Sequence, residues 1–165
     1  MRETADDLLE LQLLLDASHA RAGDHLRSIL TDEGRIGAEE LCELLTGMNL
    51  LNLATVTAAG EPRVGAVDGH FHRGHWYFGS SQESVRFRHL RPRPQVSANH
   101  VRGEELAVVV HGRATEIDHM APEHGLFLDQ LATLYGDDWV RWGAGAAYAR
   151  IDADFMVAAH LPGAL

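Results

Sequence analysis

The chain has 165 residues, 14 basic against 24 acidic side chains, and a formal charge of −10. All 14 basic residues are arginine, and the absence of lysine excludes Schiff-base catalysis and a Walker-type phosphate loop. One cysteine, Cys42, rules out an intrachain disulfide, no apolar run reaches the roughly 18 residues of a membrane span, and the acidic start MRETADDLLE is unlike a signal peptide, so a cytoplasmic protein with no membrane partner is expected.

Thr4 followed by Asp7 reads as a helix start, and Leu8, Leu11, Leu15, then Leu26, Ile29 and Leu30 recur at helical spacing on either side of a break at Gly23. Such a leucine stripe is what packing on a core or on a partner subunit requires. A short helix is expected over Ala38 to Thr46, ending near Gly47. Residues 1–47 are thus a helical N-terminal arm and 48–165 the body of what is one structural domain overall.

From Leu50 the period changes to two. Strands are expected from Leu50 to Thr57, from Arg63 to Phe71 after the turn Ala59-Gly60-Glu61-Pro62, and from His75 to Gly79 after Gly74. Ser80 and Glu83 have capping-box spacing, which predicts a helix from Ser81 to about Arg91, stopped by Pro92 and Pro94. Val96 to Val101 and Leu106 to Ile117 follow as strands, Glu123 to Tyr135 as a helix and Tyr148 to Ala158 as a closing strand. The order predicts a mainly β fold, a small antiparallel barrel with peripheral helices.

Charge is distributed unevenly. Residues 1–47 carry 11 acids and 4 arginines, 48–103 carry 3 acids and 7 arginines, and 104–165 carry 10 acids and 3 arginines. Between Ser84 and Gly103 stand Arg86, Arg88, Arg91, Arg93 and Arg102 without one acid. In a protein this acidic overall, such a patch fits a small phosphate ligand better than nucleic acid.

The stretch Leu53 to Val64, then Trp76-Tyr77-Phe78-Gly79-Ser80, Ser84 to Leu90 and Pro94-Gln95-Val96-Ser97 resembles the pyridoxamine 5'-phosphate oxidase-like family of FMN-binding split barrels, and Tyr148-Ala149-Arg150-Ile151 looks like its closing strand. The resemblance implies a six-stranded antiparallel split barrel, a homodimer with interfacial flavin sites, and a small-molecule substrate. It implies that the cofactor phosphate is held by Arg63, Ser80, Ser81, Ser84 and Arg86, and that the ring system lies along Val64, Gly65, Ala66 and Val67. Where many members read Ser-Arg-Lys this chain has Ser84-Val85-Arg86, with Arg88 nearby as a further cation. The residue chemistry agrees, because a phosphate needs converging hydroxyls, amides and guanidinium forks, although a Ser80/Glu83 capping box would compete for the same amides.

His70, His72 and His75 share a strand region, but no acid or cysteine stands ready to complete a metal set. Cys42 reads as a small core residue, and Trp139 and Trp142 as core or interface anchors, or as flavin-ring contacts. The leading expectation is an FMN-dependent oxidoreductase whose substrate is not pyridoxamine phosphate. An F420-dependent reductase, a non-catalytic flavin or haem binder, and an interaction protein that uses its arm are the alternatives.

Overall fold

Alternation of apolar and polar side chains makes each strand of this chain a two-faced ribbon, and six such ribbons bury their apolar faces by closing on themselves. The computed structural model describes residues 3–31, 34–136 and 145–161. Its strands are β1 (Met48–Val56), β2 (Pro62–His72), β3 (His75–Ser81), β4 (Gln95–Arg102), β5 (Leu106–Glu116) and β6 (Ala146–His160). They form a closed antiparallel barrel, the architecture expected from the sequence, in the order β1-β2-β3-β6-β5-β4. In β1, Asn49, Leu51, Leu53 and Thr55 point inward, and Met48, Leu50 and Asn52 point outward. The barrel is filled by Leu51, Leu53, Trp76, Phe78, Val108 and Ile151, all almost fully buried.

Helix α1 (Ala5–Arg21) starts with the expected capping box, in which Thr4 and Asp7 each satisfy the other's backbone amide. The chain breaks at Gly23 before α2 (Asp24–Ile29), and α3 (Ala38–Leu44) follows. Leu11 and Leu15 are buried against the protein's own barrel, each worth about 1.5–3 kcal/mol. Ser18 fastens the arm to β6, its hydroxyl accepting from the Met156 amide at 2.9 Å. That amide lies just beyond a register irregularity, where β5 pairs His111 with Phe155 but Gly112 with Ala153. The arm therefore packs on the core, and Leu9 and Leu13 remain exposed on its far side.

One expectation fails at the junction after β3. The helix α4 spans only Val85–Leu90, with Ser84 as its N-cap, and no Ser80/Glu83 capping box exists. Ser80 and Ser81 belong to β3, where they pair with Ala147 and Ala146 of β6. A long-range ladder has overridden a local capping pattern, and the turn Ser81-Gln82-Glu83-Ser84 closes on a 2.9 Å backbone bond. The last helix among the described residues, α5, runs Gly125–Tyr135 behind a 3₁₀ turn at Pro122–His124. Among the described residues, no helix is long and apolar enough to cross a membrane.

Candidate functional site

The outer surface of β2 presents Val64, Ala66 and Asp68, while Val67 faces the core. Beside the first of these lies a cleft of about 200 Å³ whose walls include Arg63, Val64, Gly65, Ser84, Arg86 and His89. Helix α4 places Arg86 over β2. Its Nη1 donates to Ser80 Oγ at 3.2 Å and its Nη2 to the Ala66 carbonyl at 3.3 Å. Glycine at 65 is what lets the guanidinium approach, since a Cβ there would stand 2.9 Å from Nη2.

Arg86 is electrostatically unlike most of its neighbours. Arg27, Arg35, Arg63, Arg73, Arg91 and Arg150 each face a carboxylate. Arg86 is half-buried and, among the described residues, is bonded only to neutral acceptors, so desolvation lowers its proton affinity. A desolvated cation with only neutral partners is a site that an anion would stabilise. Arg63 is already engaged, its Nη2 2.6 Å from Glu61 Oε2 in an exposed pair worth about 1 kcal/mol or less.

The remaining expected site residues separate into two groups. Ser84 lines the same cleft as Arg86 and caps α4 by accepting from the Phe87 amide at 3.4 Å. Ser80 joins through its bond to Arg86. Ser81 is exposed and accepts from the Glu83 amide at 3.4 Å, so it sits in the strand and not in the first helical turn. Arg88 is exposed and lies about 200° around α4 from Arg86, so it lines neither this cleft nor the one described next.

A second cleft, of about 330 Å³, opens on the other side of Ser80 and is walled by Asp68, His70, Tyr135 and Tyr148. Tyr135 Oη lies 3.3 Å from His70 Nε2. Burial pushes His70 down to about 4, against the opposing pull of the Asp68 charge and the Gly47 carbonyl. Burial, aided by the Asp68 charge, pushes both tyrosines up to about 12. The Tyr148 ring lies on Gly79, where a Cβ would meet its Cε1 at 2.5 Å. Among the described lining residues the cleft is thus neutral apart from Asp68, and Ser80 is its link to the arginine.

Sequence reasoning missed His89, whose Nδ1 lies 3.0 Å from Thr55 Oγ1 in the first cleft, and the whole second cleft. Asp68 was signalled weakly by its place two residues beyond Ala66 on one strand face; Tyr135, at the end of α5, carried no local signal. His70 and His72 do not converge on a common point, for His72 Nδ1 donates to Gln130 Oε1 at 2.6 Å while His70 faces Tyr135. Cys42 is buried in the core and its thiol is pushed up to about 12, chiefly by burial. Trp139 and Trp142 lie outside the described residues. A larger cleft of about 510 Å³ lies between α3, β2 and α5, lined by Glu3 and Glu43 and, among the described residues, by no arginine, so it does not suit an anionic cofactor.

The fold has counterparts in solved structures. An FAD-binding protein from Mesorhizobium loti is similar over 76% of this chain and 96% of its own, at 22% identity and a TM-score of 0.59. The heme storage protein HutZ from Vibrio cholerae is similar over 73% and 93%, at 18% identity and 0.62, and an F420 reductase over 69% and 93%, at 18% and 0.51. The chain spans about half (52%) of a protein of unknown function from Agrobacterium tumefaciens str. C58. At such identities the likeness establishes the split-barrel fold. No family model matches the sequence, and no curated protein does.

Proposed function

We propose that the chain is a flavin-binding oxidoreductase of the pyridoxamine 5'-phosphate oxidase-like type, with FMN as its cofactor and a small substrate other than pyridoxamine phosphate. The observation that carries this reading is Arg86, a half-buried guanidinium bonded to Ser80 and Ala66 with no carboxylate partner among the described residues. A phosphomonoester seated there would accept from Arg86, with Ser80 and Ser84 as neutral hydroxyl partners, a donor set that fits phosphate. Arg63 would contribute after parting from Glu61. The exposed strip Val64–Ala66 offers a flat surface along which a ring can lie.

Bound flavin would supply the electron transfer. The protein's part would be to orient the ring along β2 and to keep a neutral, aromatic environment at its far end. An FAD-binding protein and an F420 reductase that share the fold support a redox cofactor and keep F420 as the alternative occupant of the same anion site. Pyridoxamine phosphate is disfavoured because the second cleft offers a carboxylate, Asp68, where a second phosphate would need cations.

Titration with FMN and with riboflavin, followed by flavin fluorescence, tests the reading. Arg86→Ala should weaken FMN about ten- to a hundredfold, the loss of one charge-assisted phosphate contact, and leave riboflavin nearly unchanged. Arg88→Ala should bind both as the parent does. Equal FMN affinity in the parent and Arg86→Ala would overturn the assignment, and a protein that binds F420 but not FMN would shift it to the deazaflavin.

A further inference from the structure

The second cleft has its own chemistry, and it differs in sign from the first. Its walls are the rings of Tyr135, Tyr148 and His70, and its one formal charge among the described lining residues is the Asp68 carboxylate. Asp68 is an outward position of β2, exposed and two residues along the same face from Ala66, whose carbonyl receives Arg86. Ser80 lines this cleft while accepting from the guanidinium that lines the other. The two clefts therefore meet at Ser80 from opposite faces of β2, the basic one on the side where Gly65 admits Arg86 and the acidic one on the side of Asp68.

We propose that the Asp68 cleft is the substrate side of the site and that it selects a small planar cation, an aromatic or heteroaromatic amine or amidine. This rests on the flavin reading for the word substrate, but not for the binding preference. Three features carry it. The volume of about 330 Å³ is at the small end of ligand sites, so it admits a molecule of one or two rings. Two tyrosines, Tyr135 and Tyr148, line it beside a buried imidazole, and a tyrosine ring attracts a cation. Asp68 supplies a carboxylate for a fork of N–H donors and repels a second anion.

The neighbours of Asp68 register its charge. It raises the proton affinity of Tyr135 and Tyr148 and opposes the burial that depresses His70. Burial keeps both phenols and the imidazole neutral at pH 7, so among the described lining residues nothing cancels Asp68. A ligand carrying one positive charge would be the compensating group, placed beside the end of the β2 strip where the flavin ring would stop.

Benzamidine, benzyl alcohol and benzoate form a set of similar shape with charges of plus one, zero and minus one. Their binding to the protein as purified, measured by calorimetry, reads the preference directly. Benzamidinium should bind roughly tenfold more tightly than benzyl alcohol, and benzoate should show no binding. Asp68→Asn should bring benzamidinium down to the level of benzyl alcohol, and Asp68→Arg should reverse the order in favour of benzoate. In the same samples Asp68→Asn should not weaken FMN, because the phosphate residues are untouched. Absence of benzamidinium binding, or a charge preference that survives Asp68→Asn, overturns the proposal whatever FMN does. Retained benzamidinium preference in a protein that binds no flavin would instead overturn the cofactor reading and leave the cation site standing.

Discussion

His70 couples the stability of the whole domain to pH. It is 1% exposed, packed near Tyr135 and Phe127, and its proton affinity falls from the ordinary 6.5 to about 4, mainly through burial. The native state therefore resists binding a proton that the unfolded chain accepts readily below pH 6.5. Stability conferred by the neutral imidazole is present in full above pH 6.5 and drains away as pH falls toward 4. At about 1.4 kcal/mol per tenfold change in proton affinity, the fall is worth about 3 kcal/mol, a large share of a domain's total. The assay is urea unfolding of the parent and His70→Gln between pH 4 and 7.5. Gln keeps an acceptor for Tyr135 but does not titrate, and every other histidine is common to both proteins and cancels in the difference. The parent should lose about 3 kcal/mol more than the variant over this range. A difference that stays flat would refute the reasoning, as would a directly titrated His70 near 6.5.

Two further outcomes follow from geometry. Gly65→Ala places a Cβ 2.9 Å from the mobile end of Arg86, so the guanidinium should swing aside and FMN binding weaken severalfold with little change in melting temperature; Gly69→Ala meets Leu51 Cγ at 2.5 Å and the Asn49 carbonyl at 2.8 Å and should instead destabilise by about 1–3 kcal/mol in urea unfolding. Met48, Leu50, Val64 and Val101 lie exposed on one outer face of β1, β2 and β4, so the protein should sediment at twice its chain mass, and Leu50→Glu should sediment as a monomer; a parent that sediments as a monomer at micromolar concentration would exclude the pair.

The sequence by itself determined the elements whose signals are local. Thr4 and Asp7 announce α1, Gly23 opens α2 just beyond its end, Gly60 and Gly74 adopt the positive φ that their turns require, and the period of two from Leu50 onward yields six strands in the right places. The family resemblance also named Arg63, Gly65, Ser84 and Arg86, which line the first cleft together, and Ser80, which accepts from Arg86. Only the tertiary structure decided what depends on partners distant in sequence. The β6 ladder drew Ser80 out of the expected cap and Ser81 out of the expected helix, since pairing with Ala147 and Ala146 satisfies backbone groups that a capping box would have used otherwise. Helical phase turned Arg88 away from Arg86. Closure of the barrel brought Tyr148 over Gly79, and α5 carried Tyr135 to His70, 65 residues away in the chain, so an acidic, aromatic cleft stands beside the basic one. No periodicity or spacing records that meeting, because it is made by packing between elements and not within any of them.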